Sequence, residues 1–225
     1  MIRFHVPEWD REPDALLTDR QRLVFDTANG ILSRYAFTLP VDVFRICRVL
    51  DVDLIPLSRY EEQGFTEEEM RIVWGNPDGA ASHFNGRPVV GYNDRAPMHR
   101  QRFTLAEELM HVLLGHVCDP RFNAFTQEYD PAIYARYEYE AKTAAGLILF
   151  PAFFYFRHRR SYDLHTLARA CDISDACAVT CARYYDQEDQ FLHSVCSRKV
   201  LRHRLPAHPT IRPPRPLDVW PEVTT

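Results

Sequence analysis

The stretch Arg102-Phe103-Thr104-Leu105-Ala106-Glu107-Glu108-Leu109-Met110-His111-Val112-Leu113-Leu114-Gly115-His116 reads as one helix whose polar face carries chemistry. Glu107 and His111 are four residues apart, so their side chains stand one above the other on the same face. Glu108 points about a quarter-turn away, within reach of a group held between the other two. The layout is that of H-E-x-x-H, in which two ligands at i and i+4 grip zinc and the Glu between them is the general base. Here the first ligand position is Glu107 rather than His.

Outward from this helix, the chain alternates helical and short extended signals. Apolar positions from Leu16 to Leu32 recur at helical spacing within 14–35, and Pro40 opens a second helix with Val41, Val43, Phe44, Cys47 and Leu50 on its buried side. Val52 to Pro56 reads as a strand, and Thr66 with Glu69 forms a capping-box pattern for a helix ending at Gly75. Asn85-Gly86 between two apolar runs predicts a type I′ hairpin leading into the helix at 102. Cys118 to Asp130 has no period and reads as a loop, and Pro131 starts a helix running to Leu149. Two short helices joined at Asp172-Ile173-Ser174 follow, in a helix-turn-helix-like pattern, and Phe191 to Leu205 reads as a strand or a frayed end. From Pro206 on, six prolines mark an extended, flexible tail.

At 225 residues, 46% hydrophobic and 12% aromatic, the chain can bury a substantial core. Neither a signal peptide nor an apolar run of roughly eighteen residues is found, so a cytoplasmic protein away from the membrane is expected. A net charge of −4 argues against a surface devoted to phosphate backbones. The six cysteines, without a secretory context, are expected to stay thiols.

Phe103 to Ala106, the E-E-x-x-H, and Val112 to His116 resemble the "RFTLAHELGHxLLGH" segment of the ImmA/IrrE metallo-endopeptidases. Glu138 to Pro151 resembles that family's second signature, "E-x-x-A-N-x-F-A-A-x-L-L-M-P". The resemblance implies a mostly helical α+β fold: a zincin-like metallopeptidase core with a small antiparallel sheet and a C-terminal two-helix segment. The division it suggests is an N-terminal helical segment at 1–40, the core at 41–160, a helical segment completing it at 161–205, and the tail at 206–225. It also implies Glu138 as third ligand beside Glu107 and His111, with Glu140 as fallback, and Glu108 as general base. By analogy with such peptidases, Val89, Val90, Gly91, Tyr92 and Asn93 form a candidate strand for binding the substrate backbone. An ordinary structural hairpin is the alternative. A helix-turn-helix transcriptional repressor is the substrate the resemblance implies.

The expected ion is zinc, held by three protein ligands with one position open. Two carboxylates and one imidazole formally cancel a dication's charge, which makes bound water less acidic and shifts preference towards manganese or another oxygen-seeking ion. Three readings stay open: a working enzyme with Glu107 as ligand, an inactive pseudo-peptidase that binds a protein partner, and a solvated helix face above a core histidine. Tyr134, Tyr137 and Tyr139 surround the third ligand as candidate oxyanion donors or packing residues, and His116 is a structural or outer-layer residue. Cys171, Cys177 and Cys181 with Cys196 or His193 offer a second metal grouping, weak because no C-x-x-C is present. DNA binding through the helix pair at 163–185 is the rival function, although Asp163, Asp172, Asp175 and Asp186 interrupt its arginines.

Overall fold

The computed structural model describes residues 19–123, 126–188, 192, 201–203 and 205. In chain order the elements are α1 (Asp19–Tyr35), α2 (Val43–Val49), β1 (Asp53–Pro56), α3 (Leu57–Glu62), α4 (Glu67–Trp74), β2 (Gly79–Phe84), β3 (Arg87–Tyr92), α5 (Met98–Leu113), α6 (Pro131–Leu149), α7 (Ala152–His158), α8 (Leu164–Cys171) and α9 (Asp175–Gln187). The fold is α+β and mostly helical, as the sequence implies.

Local chemistry sets most boundaries. Thr66 and Glu69 make the reciprocal capping box, with the Glu69 amide donating to Thr66 Oγ1 at 3.2 Å and the Thr66 amide donating to Glu69 Oε2 at 2.8 Å. Asp130 caps α6 by accepting from the Ala132 amide at 2.8 Å, with Pro131 as first helical residue. Asn85 and Gly86 both have positive φ, 50° and 78°, as a type I′ turn requires. One boundary differs from the expectation: α2 does not open at Pro40, because Asp42 caps it by accepting from the Arg45 amide at 2.9 Å. Two short helices, α3 and α7, lie where no periodic signal marks the chain. The expected loop after α5 contains 3-10 turns at His116–Cys118 and Pro120–Phe122.

The sheet has the order β1-β3-β2. The β2–β3 hairpin is antiparallel, pairing Ala81 with Val90, whereas β1 joins β3 in parallel, pairing Leu54 with Val90. The sheet is therefore mixed rather than purely antiparallel, since β1 reaches β3 by a crossover through α3 and α4 rather than by a hairpin. α5 lies against β2 and β3 on one side and α6 on the other. Ala141, Ala144 and Ala145, fully buried, let the α6 backbone approach Leu105, Leu109 and Met110 of α5.

A single apolar cluster runs from Val24 in α1 to Leu201, so the N-terminal helix and the α8–α9 pair share the core of the central segment. Arg102, only 5% exposed, stitches these parts together. Its guanidinium donates to the carbonyls of Cys171 at 2.9 Å and Val41 at 3.0 Å, and to that of Asp172. Near the C-terminal end, Arg202 pairs with Thr38 in a parallel bridge. The other residues of the expected 191–205 strand, apart from Leu192, Leu201, His203 and Leu205, and the tail from 206 lie outside the described residues. Among the described residues no helix is long and apolar enough to cross a membrane. Cys47, Cys118, Cys171, Cys177 and Cys181 are free thiols, as expected, and Cys196 lies outside the described residues.

Candidate metal centre

Ligand atoms of Glu107, His111 and Glu138 lie within 4.8 Å of one another, the one such convergence of His, Cys, Asp and Glu among the described residues. Helical spacing brings Glu107 and His111 onto one face of α5, and the close α5–α6 packing delivers Glu138. Glu140, the fallback ligand, is two residues further along α6 and points elsewhere: its Oε2 lies 3.0 Å from His116 Nε2 and accepts from Arg20 Nη2 at 2.6 Å. No thiol joins the group, so the cysteines of α8 and α9 do not form a second site among the described residues.

His111 is held in a defined orientation. Its Nδ1 is 3.1 Å from His116 Nδ1, and its Nε2 is 3.4 Å from Glu138 Oε1. His116 Nε2 faces both Glu140 Oε2, which only accepts, and Arg20 Nη2 at 3.1 Å, which only donates. The two Nδ1 atoms share one proton between the rings, and His111 Nε2 faces the Glu138 carboxylate, which its hydrogen bond helps to keep ionised. Burial pushes the His116 pKa down, in keeping with a neutral ring. Burial opposes ionisation of Glu140, but hydrogen bonds from His116 and Arg20 hold it below the usual carboxylate range. Phe122 stacks on the His111 ring at 4.8 Å and Tyr137 on the His116 ring at 4.1 Å.

Three buried or half-buried carboxyls crowd this face. Glu107 and Glu108 are each 7% exposed. Burial pushes Glu107 up to about 7, with Glu138 adding and Lys142 subtracting, and burial with the neighbouring Glu107 drives Glu108 well above the ordinary range. Glu138 is also resisted by burial, yet His111 and Lys142 bring it down to about 2. The backbone of Ala81 in β2 lies near enough to Glu108 to offset part of its rise. Lys142 Nζ, the nearest positive charge, contacts Glu138 Oε2 and lies 3.5 Å from Glu107 Oε1.

These residues fit a divalent cation. Glu107, Glu108 and Glu138 share the single Lys142 ammonium, so the acids outnumber the positive charge beside them, and Glu107, His111 and Glu138 turn their ligand atoms towards one another. Glu107, His111 and Glu138 would hold the ion, leaving Glu108 beside it.

The other expected residues divide. Tyr134 belongs to the site: burial and then the charges of Glu138, Glu108 and Glu107 raise its pKa. Tyr137 supports it from behind, donating to Asp119 Oδ2 at 2.8 Å. Tyr139 does not reach it and instead lines a cavity of about 320 Å³ with Arg20, Phe25 and Arg136, because it sits on the α1 side of α6. The candidate substrate strand is corrected as well. Val89, Val90, Gly91 and Tyr92 form the central strand, hydrogen-bonded on both edges, and the Asn93 amide is taken by the Asp78 carbonyl at 2.8 Å. The free sheet edge beside α5 belongs to β2. Lys142, Phe122 and Arg20 had not been singled out from the sequence. Of these, Lys142 carries a signal in its spacing, four residues after Glu138.

The fold and this site define a zincin-like metallopeptidase domain. A family model, peptidase M78, described as the IrrE N-terminal-like domain, matches residues 67–185, which is 119 of the 225 residues. The chain belongs to that family, in agreement with the ImmA/IrrE resemblance. No curated protein matches the chain.

Proposed function

We propose that the protein is a metal-dependent endopeptidase whose Glu108 acts as general base. The observation that supports this most is the convergence of Glu107, His111 and Glu138 with Glu108 buried directly beside them. A divalent ion, when bound, supplies Lewis-acid polarisation and lowers the pKa of water from about 15.7 towards about 7. Glu108 takes the proton from the attacking water and returns it to the leaving amine. Its carboxyl pKa, raised by burial, suits both halves of that transfer. The Ala81 backbone lies beside the Glu108 carboxyl, and the edge of β2 would offer main-chain groups to an extended peptide. Tyr134, which feels the charges of the cluster, would donate to the developing oxyanion. Zinc is the ion most consistent with the family, with manganese the alternative that two carboxylates favour.

The substrate class we propose, on family membership, is a helix-turn-helix transcriptional repressor, acted on in the cytoplasm. The test is incubation of the zinc- or manganese-loaded protein with a panel of such repressors and mass spectrometry of the products. Discrete cleavage by wild type and none by Glu108→Gln supports the reading; identical products from both enzymes, or none from either, contradicts it.

One observation favours a second reading, an inactive relative that binds its protein partner through the cleft: Lys142 already supplies a positive charge to Glu107 and Glu138. Repressor binding without cleavage would support it. The DNA-binding alternative gains nothing from α8 and α9, whose Leu167, Ala168, Cys171, Ala178, Cys181 and Ala182 are buried in the core.

A further inference from the structure

Lys142 is an exception within this chain. Lysine and arginine together number 27, yet only Lys142 and Lys199 are lysines, so nearly all the positive charge is carried by guanidinium groups. One of the two amines, Lys142, stands against the Glu107–His111–Glu138 cluster. Lys142 lies one helical turn after Glu138, and its Nζ touches Glu138 Oε2 while lying 3.5 Å from Glu107 Oε1. His111 Nε2 faces the other oxygen of the same Glu138 carboxylate at 3.4 Å. An ammonium is a compact point charge on a flexible stem, and it can sit between two carboxylates much as a small ion does.

We propose that Lys142 is the resident counter-cation of the site and controls its occupancy: a divalent ion binds Glu107, His111 and Glu138 only as the Lys142 ammonium leaves the two carboxylates. This rests on the metal-site reading above. An ammonium and a dication in contact with the same carboxylate oxygens repel strongly at such separations. The Lys142 side chain is 28% exposed, so it has a way out to water, and its stem is long enough to carry the charge there while α6 stays in place. Glu107 and Lys142 thus act as a pair. The carboxylate at the first ligand position gives the ammonium its second partner, and the ammonium weakens that position for metal.

The test measures zinc affinity of the full chain by competition with a chromophoric chelator, in wild type, Lys142→Met and Lys142→Gln. Both variants are expected to bind one zinc at least tenfold more tightly than wild type. A second measurement needs no variant: acylation of wild type with an amine-directed reagent, read by peptide mass spectrometry. Zinc is expected to raise the labelling of Lys142. Equal or weaker zinc binding by the variants, or Lys142 labelling that zinc leaves unchanged or lowers, overturns the proposal while leaving the metal site intact. Zinc binding by none of the three proteins overturns both. If neither variant folds, the labelling decides alone.

Discussion

His116 Nδ1 lies 3.1 Å from His111 Nδ1, so the ring that faces the carboxylate cluster is held from behind by a second imidazole. That imidazole is itself held by Glu140 and Arg20, and the four residues form a chain from α1 to the site. Outer partners of a metal-bound histidine typically control affinity by about 10- to 100-fold. His116→Phe keeps a ring to stack on Tyr137 and removes the nitrogen. It should lower zinc affinity within that range in a chelator competition, with Glu140→Gln showing a smaller loss. Unchanged affinity in His116→Phe would show that His111 needs no such support.

Arg102 joins α5 to α8 and to the segment before α2 through three carbonyls. Replacing it with Met leaves those buried acceptors without donors, and should cost about 3 kcal/mol. Urea unfolding should show a lower midpoint at an unchanged slope. A loss below about 0.5 kcal/mol, the usual surface value, would mean the carbonyls find other donors.

Gly79 begins β2 where the sheet meets α5. A Cβ there would lie 2.4 Å from the Gly91 carbonyl oxygen and 2.8 Å from Thr104 Cγ2. The first contact is backbone and can be relieved only by opening the hairpin ladder. Gly79→Ala should therefore cost about 1–3 kcal/mol. Because β2 carries Ala81, it should also reduce peptide cleavage beyond the loss of folded protein. Wild-type stability in Gly79→Ala would be incompatible with this packing.

Much of the site was legible because it depends on periodicity. Glu107, Glu108 and His111 follow from helical spacing within α5, and Glu138 follows from the resemblance of α6 to a known signature. What escaped depends on how separate elements meet. Tyr139 is expected beside the third ligand together with Tyr134 and Tyr137, and only the α1–α6 packing turns it, like the fallback ligand Glu140, away from the site. β3 looked like an edge strand because nothing local to β1, four residues long, announces that it pairs in parallel across a crossover. α3 has only Leu57 buried and no side-chain cap, so its helix has no sequence signature. The Glu138–Lys142 spacing was readable on α6, but the reach of Lys142 to Glu107 required the crossing of α5 and α6.

A pH dependence follows from His158 and His203, whose rings are 4.8 Å apart and which each bury one nitrogen without a hydrogen-bond partner. Burial lowers both pKa values, the charge of Arg157 lowers both further, and His203 also lowers His158. The unfolded chain thus takes up protons near the ordinary value of about 6.5, where the folded chain does not. Stability from this pair is present above about 6.5 and is lost as pH falls below it. The melting temperature should decline from pH 7 to 5.5, and His158→Phe should flatten the decline. An identical slope in the variant would assign the effect to other groups.

The central claim is that Glu107, His111 and Glu138 together hold one metal ion. X-ray absorption at the zinc edge, on protein loaded with excess zinc and washed, tests it most directly. The account predicts about one zinc per chain in a shell of oxygen and a single imidazole nitrogen, lost in His111→Ala and Glu138→Ala and kept in Glu108→Gln. A shell containing sulfur or several imidazoles, or no retained zinc in either wild type or Lys142→Met, would contradict it.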